Sequence, residues 1–178
     1  MRIAIVGCGQ LARMLALAGW EMGHHFSFLA DPDEGTRCVE GLGPVVYSDQ
    51  HHSSDALFEA LGRPEVVTVE KEHVSVALLE SLSTHCRVAP SADAIRVCQH
   101  RGREKTLLQS LDIATAPFHV VTDAASLNEA VNTVGYPAFV KSCEQGYDGQ
   151  NQWLIKDSQS LETLAASMDT LPDLVVEG

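Results

Sequence analysis

The chain has 178 residues, 12 of them basic and 24 acidic, for a net charge of −12 with histidine neutral. That balance opposes non-specific binding to nucleic acid or to an anionic lipid surface, because like charges repel, so any anionic ligand must be met by a local cationic pocket. With 45% hydrophobic and 20% charged residues, the composition excludes disorder, collagen and coiled coil, and the length allows one ordinary domain or two small ones.

Residues 2–6, RIAIV, are apolar and β-branched, and after the turn GCGQ the residues Leu11, Met14, Leu15, Ala18 and Met22 recur at helical spacing. The pattern predicts strand, glycine turn and helix. A second strand is expected at HFSFLA, residues 25–30, ended by Asp31-Pro32 because proline lacks an amide donor and disfavours helix in the residue before it. PVVYSD (44–49) reads as a third strand and residues 53–61 as a helix capped by Ser53 or Ser54. EVVTVE (65–70) reads as a fourth strand and residues 74–82 as a helix carrying Leu78, Leu79 and Leu82. This alternation argues for a parallel, doubly wound α/β sheet.

At RVAPSADAIRVCQ the pattern changes: Pro90 closes a short strand, and Ser91 is placed to cap one long helix reaching Leu111. A domain boundary is expected here, dividing residues 1–97 from residues 98–178. Beyond it follow a strand at 116–122, a helix at 124–134, the strand AFVKSC (138–143), the polar loop EQGYDGQNQ, the strand WLIK, a helix at 158–171 and the strand LVVEG. Longer connections and a hairpin make this half α+β. LVVEG is an apolar strand running to the last residue, which reads as a domain that continues past Gly178.

Gly7, Gly9 and Ala12 fit G-x-G-x-x-(G/A) after a strand, a turn that lets backbone approach a phosphate at a helix N-terminus. The same small residues also serve a tight turn with no ligand. Asp31, near the end of the second strand, supplies the acid a nicotinamide cofactor requires, whereas Gln10 and Arg13 in the turn suit a phosphate monoester. Glu70 and Glu72 close the fourth strand, where open α/β sheets hold ligands, and strand alternation places both on one face. They also read as solvated acids beside Lys71 and His73. Arg101, Arg103 and Lys105 read as solvated helix surface. Lys141 ends an apolar strand just before Gly146-Tyr147-Asp148-Gly149, a placement suited to nucleotide phosphates under a glycine loop. Glu177 is placed to accept hydrogen bonds from a base or sugar.

The five cysteines are widely spaced with no CxxC pair, and read as reduced thiols. Cys8 precedes a helix, which either lowers its pKa or simply uses its small size in the turn. The histidine pairs 24–25 and 51–52 lack metal-ligand spacing, and no G-x-S-x-G, Walker A or H-E-x-x-H motif occurs. No apolar run approaches the ~20 residues that cross a bilayer, and the chain enters strand-like sequence at once with no signal pattern, so a cytoplasmic protein is expected.

Taken together, GCGQLARML, VTVEKEHV, CQHRGREKTLL, ATAPF, FVKSCEQGYDGQNQW and VVEG resemble, in order and spacing, the amino-terminal part of the 5-(carboxyamino)imidazole ribonucleotide synthetase family of ATP-grasp enzymes. The resemblance implies a Rossmann-like preATP-grasp domain over residues 1–97 and the first, incomplete part of an α+β ATP-grasp domain over 98–178. It implies a ligase of purine biosynthesis that uses ATP and bicarbonate to carboxylate 5-aminoimidazole ribonucleotide, releasing ADP and phosphate. By matched position, Arg101, Lys141, Gly146, Tyr147, Asp148, Gly149, Gln150, Asn151, Gln152 and Glu177 would bind ATP. Gly9, Gln10, Leu11, Glu70, Tyr147 and Asp148 would face the ribonucleotide, and Lys141, Tyr147 and Asp148 would serve catalysis. Magnesium would find its ligands in the carboxyl-terminal part of such an enzyme, and the family is usually a homodimer. Two other readings stay open: an NAD-dependent oxidoreductase using the first glycine turn and Asp31, and a non-catalytic nucleotide-binding module. The loop departs from the family, which follows GYDG with Lys or Arg and then Gly; here Gln150 and Asn151 remove a cation and a glycine. Gln145 replaces a frequent glycine, and His100 stands where an Asp usually precedes the arginine.

Overall fold

A computed structural model describes residues 1–144, 151–168 and 173–178. Its first half alternates as its hydrophobic periods require: β1 (Arg2–Val6), α1 (Gln10–Glu21), β2 (His25–Ala30), β3 (Val45–Tyr47), α2 (Ser54–Ala60), β4 (Val66–Val69), α3 (Val76–Ser83), β5 (Arg87–Val88) and α4 (Ala92–Cys98). The five strands form one parallel sheet in the order β3-β2-β1-β4-β5. Side chains alternate across it. Ala4 and Val6 join Leu29, Val67, Leu79 and Leu82 in a core on one face, and Ile5 joins Phe28, Ala12 and Ala16 in a core on the other. The chain order reverses between β1 and β4, and in open α/β sheets the crevice at that reversal, at the carboxyl ends of the strands, is where ligands sit.

Short polar residues start the helices, as expected at Ser53, while the helix expected from residue 74 begins only after Ser75. Ser53 accepts the Ala56 amide and Ser75 the Leu78 amide, each at 3.2 Å, satisfying donors that have no partner within the helix. The single long helix expected after Ser91 is instead two. Ser91 caps the first through the Ala94 amide. At His100 the backbone turns extended, and its ring Nδ1 accepts the Arg103 amide at 3.2 Å, starting α5 (Arg101–Ser110). The fourth strand also stops at Val69. Glu70 and Glu72 therefore lie beyond the ladder, and the alternation argument that put them on one face does not apply.

The chain divides into two compact units, Met1–Arg96 and Val97–Gly178. The second contains α5, β6 (Phe118–Val121), α6 (Ala124–Val134), β7 (Ala138–Ser142), β8 (Gln152–Ile155), α7 (Ser158–Ala165) and β9 (Leu174–Glu177). Its sheet is antiparallel, in the order β6-β9-β7-β8. The last strand thus runs between β6 and β7 and finds both neighbours within the chain. Val121, Ala138, Val140, Ile155, Leu174 and Val176 point from one face into a core with Leu127 and Val131 of α6 and Leu161 and Leu164 of α7. Asp123 and Asp157 begin those helices with reciprocal capping boxes to Ser126 and Ser160. The opposite face carries Phe118, Val120, Val175, Glu177, Phe139 and Lys141, the alternate residues in register. Helix α5 packs on its β6 side through Gly102, where a Cβ would meet the Val120 side chain at 2.7 Å.

Candidate functional site

In the first unit the chain leaves β1 through Gly7, whose φ of +110° suits glycine, and enters α1 at Gly9, which offers no side-chain cap. The missing cap comes from the end of β4. The Glu70 carboxylate accepts the Gly9 amide at 3.0 Å and the Ala12 amide at 3.3 Å, and the Glu70 amide donates to Val6 O at 3.1 Å. A second carboxylate completes the turn: Glu34 accepts the Cys8 amide at 2.7 Å and the Asp31 amide at 3.1 Å. Lys71 offsets part of the negative charge of this corner, 2.8 Å from both Asp31 and Glu34.

These contacts decide what the turn can bind. A dinucleotide pyrophosphate at the N-terminus of α1 would need amides that two carboxylates already hold, and Asp31, the acid expected for a nicotinamide ribose, is tied to Lys71. Arg13 turns to the Cys38 carbonyl at 3.0 Å. Leu11 and Glu70 instead line a groove of about 370 Å³ with Met14, Leu15, Ala18 and Val69, while Gln10 is exposed beside it in sequence. Cys8 is no nucleophile: burial, with Glu34 nearby, pushes its thiol up to about 12, against a lowered value at a helix start. Burial likewise works to raise the Glu34 carboxyl, yet Lys71 and the Asp31 and Cys8 amides hold it below the usual carboxylate range.

In the second unit the open sheet face gathers charge. Glu177 sits in register between Phe118 of β6 and Phe139 of β7. Its Oε2 accepts Lys141 Nζ at 3.1 Å, and its Oε1 lies 3.4 Å from Lys105 Nζ. Arg101 closes the end of β7, its amide donating to Cys143 O at 2.8 Å and its guanidinium to Ser142 O at 2.6 Å. Two lysines thus share one carboxylate, and a third cation, Arg101, stands at the strand end, where Asp173 and Glu144 also lie near Cys143. Phe139, Val120 and Leu154 leave apolar surface exposed on the same sheet. Such a site can hold an anion by its cations and a flat apolar group by its rings.

Of the residues named from sequence, Arg101, Lys141 and Glu177 come together here, while Gln152 opens β8 opposite Lys141. Asn151 takes a positive φ of 53°, and its carbonyl accepts the Ser142 amide. Gly146, Tyr147, Asp148, Gly149 and Gln150 lie outside the described residues. Sequence reasoning missed Lys105, which it took for solvated surface; its side chain is only 16% exposed. The i, i+4 spacing from Arg101 to Lys105, one face of a helix, was the available signal.

The family model for the ribonucleotide synthetase preATP-grasp domain matches residues 1–99, and that for the ATP-grasp domain matches residues 106–178. The chain belongs to the ribonucleotide synthetase preATP-grasp family. Within this family it is 34% identical over its whole length to the N5-carboxyaminoimidazole ribonucleotide synthase of Pseudomonas aeruginosa, of which it covers 48%. Among solved structures, N5-carboxyaminoimidazole synthetase from Staphylococcus aureus complexed with ADP aligns over 99% of the chain and 46% of its own, at 30% identity and a TM-score of 0.85. The corresponding ribonucleotide synthetase from Thermus thermophilus aligns over 99% and 46%, at 35% identity and a TM-score of 0.81. The chain therefore spans about half the length of the curated relatives it matches. The preATP-grasp sheet followed by an α+β ATP-grasp unit is the arrangement the family resemblance implies.

Proposed function

We propose that this chain supplies the ribonucleotide-binding and nucleotide-binding walls of a ligase of purine biosynthesis that carboxylates 5-aminoimidazole ribonucleotide with bicarbonate, converting ATP to ADP and phosphate. The observation that carries the reading is the Lys141–Glu177 pair on an open sheet face with Arg101 at the strand end. In this reading Lys141 and Arg101 hold the phosphates of ATP, and the Glu177 carboxylate and the Phe139 ring face the adenosine. Glu70, Gly9, Gln10 and Leu11 face the ribonucleotide. The related synthetase crystallised with ADP supports a nucleotide site.

Phosphoryl transfer asks a protein mainly to position its reactants and to neutralise charge, and the cations of the second unit suit that task. ATP supplies the phosphoryl group that activates bicarbonate. Among the described residues no group of three or more His, Cys, Asp or Glu side chains is placed to hold a metal ion such as magnesium. No helix among the described residues is long and apolar enough to cross a membrane. We take the enzyme as cytoplasmic and its working form as a homodimer.

Calorimetric titration of the chain with ADP, ATP, 5-aminoimidazole ribonucleotide and NADH tests the assignment. Saturable binding of the adenine nucleotides and the ribonucleotide, with none of NADH, is expected. Binding of NADH without ADP or ATP would overturn it in favour of the oxidoreductase.

A further inference from the structure

Resting on the nucleotide site just described, we propose that Lys105 is a positioning residue: it keeps Glu177 neutralised so that the Lys141 ammonium can leave that carboxylate for a ligand phosphate. The geometry is a symmetrical set. Glu177 stands between Phe118 and Phe139 in the strand register. Lys105 Nζ lies 5.4 Å from the centre of the Phe118 ring, and Lys141 Nζ lies 5.9 Å from that of Phe139. Each ammonium also reaches one oxygen of Glu177, at 3.4 Å and 3.1 Å respectively. Lys105 belongs to α5 and Lys141 to β7, so one carboxylate joins two elements.

The exposures separate the two lysines. Glu177 and Lys105 are 14% and 16% exposed, whereas Lys141 is 25% exposed and stands on the strand that runs toward the glycine loop. A carboxylate so covered cannot lose its only counter-ion cheaply, since a buried charge left unpaired is strongly destabilising. With two lysines present it need not. When Lys141 turns to an anionic ligand, Lys105 stays on Glu177, held from the other side by the Phe118 ring. Without Lys105, Lys141 and Glu177 become a closed pair that an incoming phosphate must break, and affinity falls.

The test is a mutant cycle read by ADP affinity in calorimetry, with thermal melts alongside. Lys105→Met is expected to weaken ADP binding about tenfold, or about 1.4 kcal/mol, and Lys105→Arg to retain most of it. The combination of Lys105→Met with Glu177→Gln is expected to bind more tightly than the two single losses sum to, because the carboxylate that traps Lys141 has lost its charge. Additive losses overturn the proposal, since residues that act through one shared carboxylate must couple. The ammonium resonances of the wild-type chain, with ¹⁵N in the lysine side chains, give a reading independent of any variant. Lys141 is expected to shift with ADP while Lys105 stays; equal shifts make Lys105 a ligand contact and overturn the proposal. If wild-type chain binds no ADP, the nucleotide reading itself falls and takes the proposal with it. If wild type and Lys105→Met bind ADP equally, only the proposal falls.

Discussion

The Glu70 carboxylate, 61 residues along the chain from Gly9, accepts its amide at 3.0 Å and caps α1 from beyond a neighbouring strand. A helix whose first residues carry no capping side chain thus obtains its negative partner from the far side of the crevice between β1 and β4, where charge and helix dipole favour each other. Glu70→Ala is expected to lower stability by about 1–3 kcal/mol, the cost of leaving buried amides unpaired. Glu70→Gln keeps one of the two accepting oxygens and should cost less than the alanine, through the loss of one amide bond and of the charge at the helix dipole. Gly7→Ala is the harsher change, because its φ is +110° and the new Cβ would stand 2.5 Å from Glu70 Cγ. Urea denaturation of the three variants checks the order.

Glu34 and Lys71 predict a pH dependence with a definite sign. The folded Glu34 carboxyl titrates below its ordinary value of 4.5, so its contribution is present above that value and is lost as pH falls through the folded one. The folded Lys71 ammonium titrates above 10.5, since its bonds to Asp31 and Glu34 outweigh the burial that works to lower it. Its contribution is present below 10.5 and is lost as pH rises through the folded value. Glu34→Gln is therefore expected to cost about 1–3 kcal/mol near neutral pH. The difference from wild type should close in acid, as followed by denaturation at a series of pH values.

Arg101 and Lys141 carry the proposed phosphate contacts. Removing either charge-assisted contact, by Arg101→Ala or Lys141→Ala, is expected to lower ADP affinity by about tenfold or more. Unchanged calorimetric binding in both variants would remove these residues from the site.

Cys8 has no exposed surface and a thiol that burial pushes up to about 12, so it stays protonated and shielded from reagents at pH 8. Burial raises the Cys143 thiol as well. Alkylation of the native chain, followed by peptide mass analysis, should label exposed Cys98 first, and Cys8 and Cys143 only after unfolding.

His100 caps α5 through a ring nitrogen that accepts the Arg103 amide. His100→Ala is expected to cost about 1 kcal/mol through loss of the cap, while His100→Asp keeps an acceptor for the Arg103 amide. Thermal melts distinguish them: the alanine variant should melt lower than the aspartate variant.

Most elements are legible from the sequence because their causes are local. The alternation in RIAIV and HFSFLA, the serines at 53, 75 and 91, and the aspartates at 123 and 157 act within a few residues. The break at His100 escaped that reading because a histidine ring accepting a backbone amide is an unusual cap, and the helical pattern on both sides hides it.

The chain's own residue order determined a glycine turn after β1, a lysine at the end of an apolar strand, and the family motifs. What each of these groups touches was decided only when strands distant in sequence became neighbours. Lys141 meets Glu177 across 36 residues because β9 runs beside β7, and Lys105 joins them because α5 lies over the same face. Charges act through space, over a few ångströms, so the partner of a lysine is set by the order of strands and not by its neighbours along the chain.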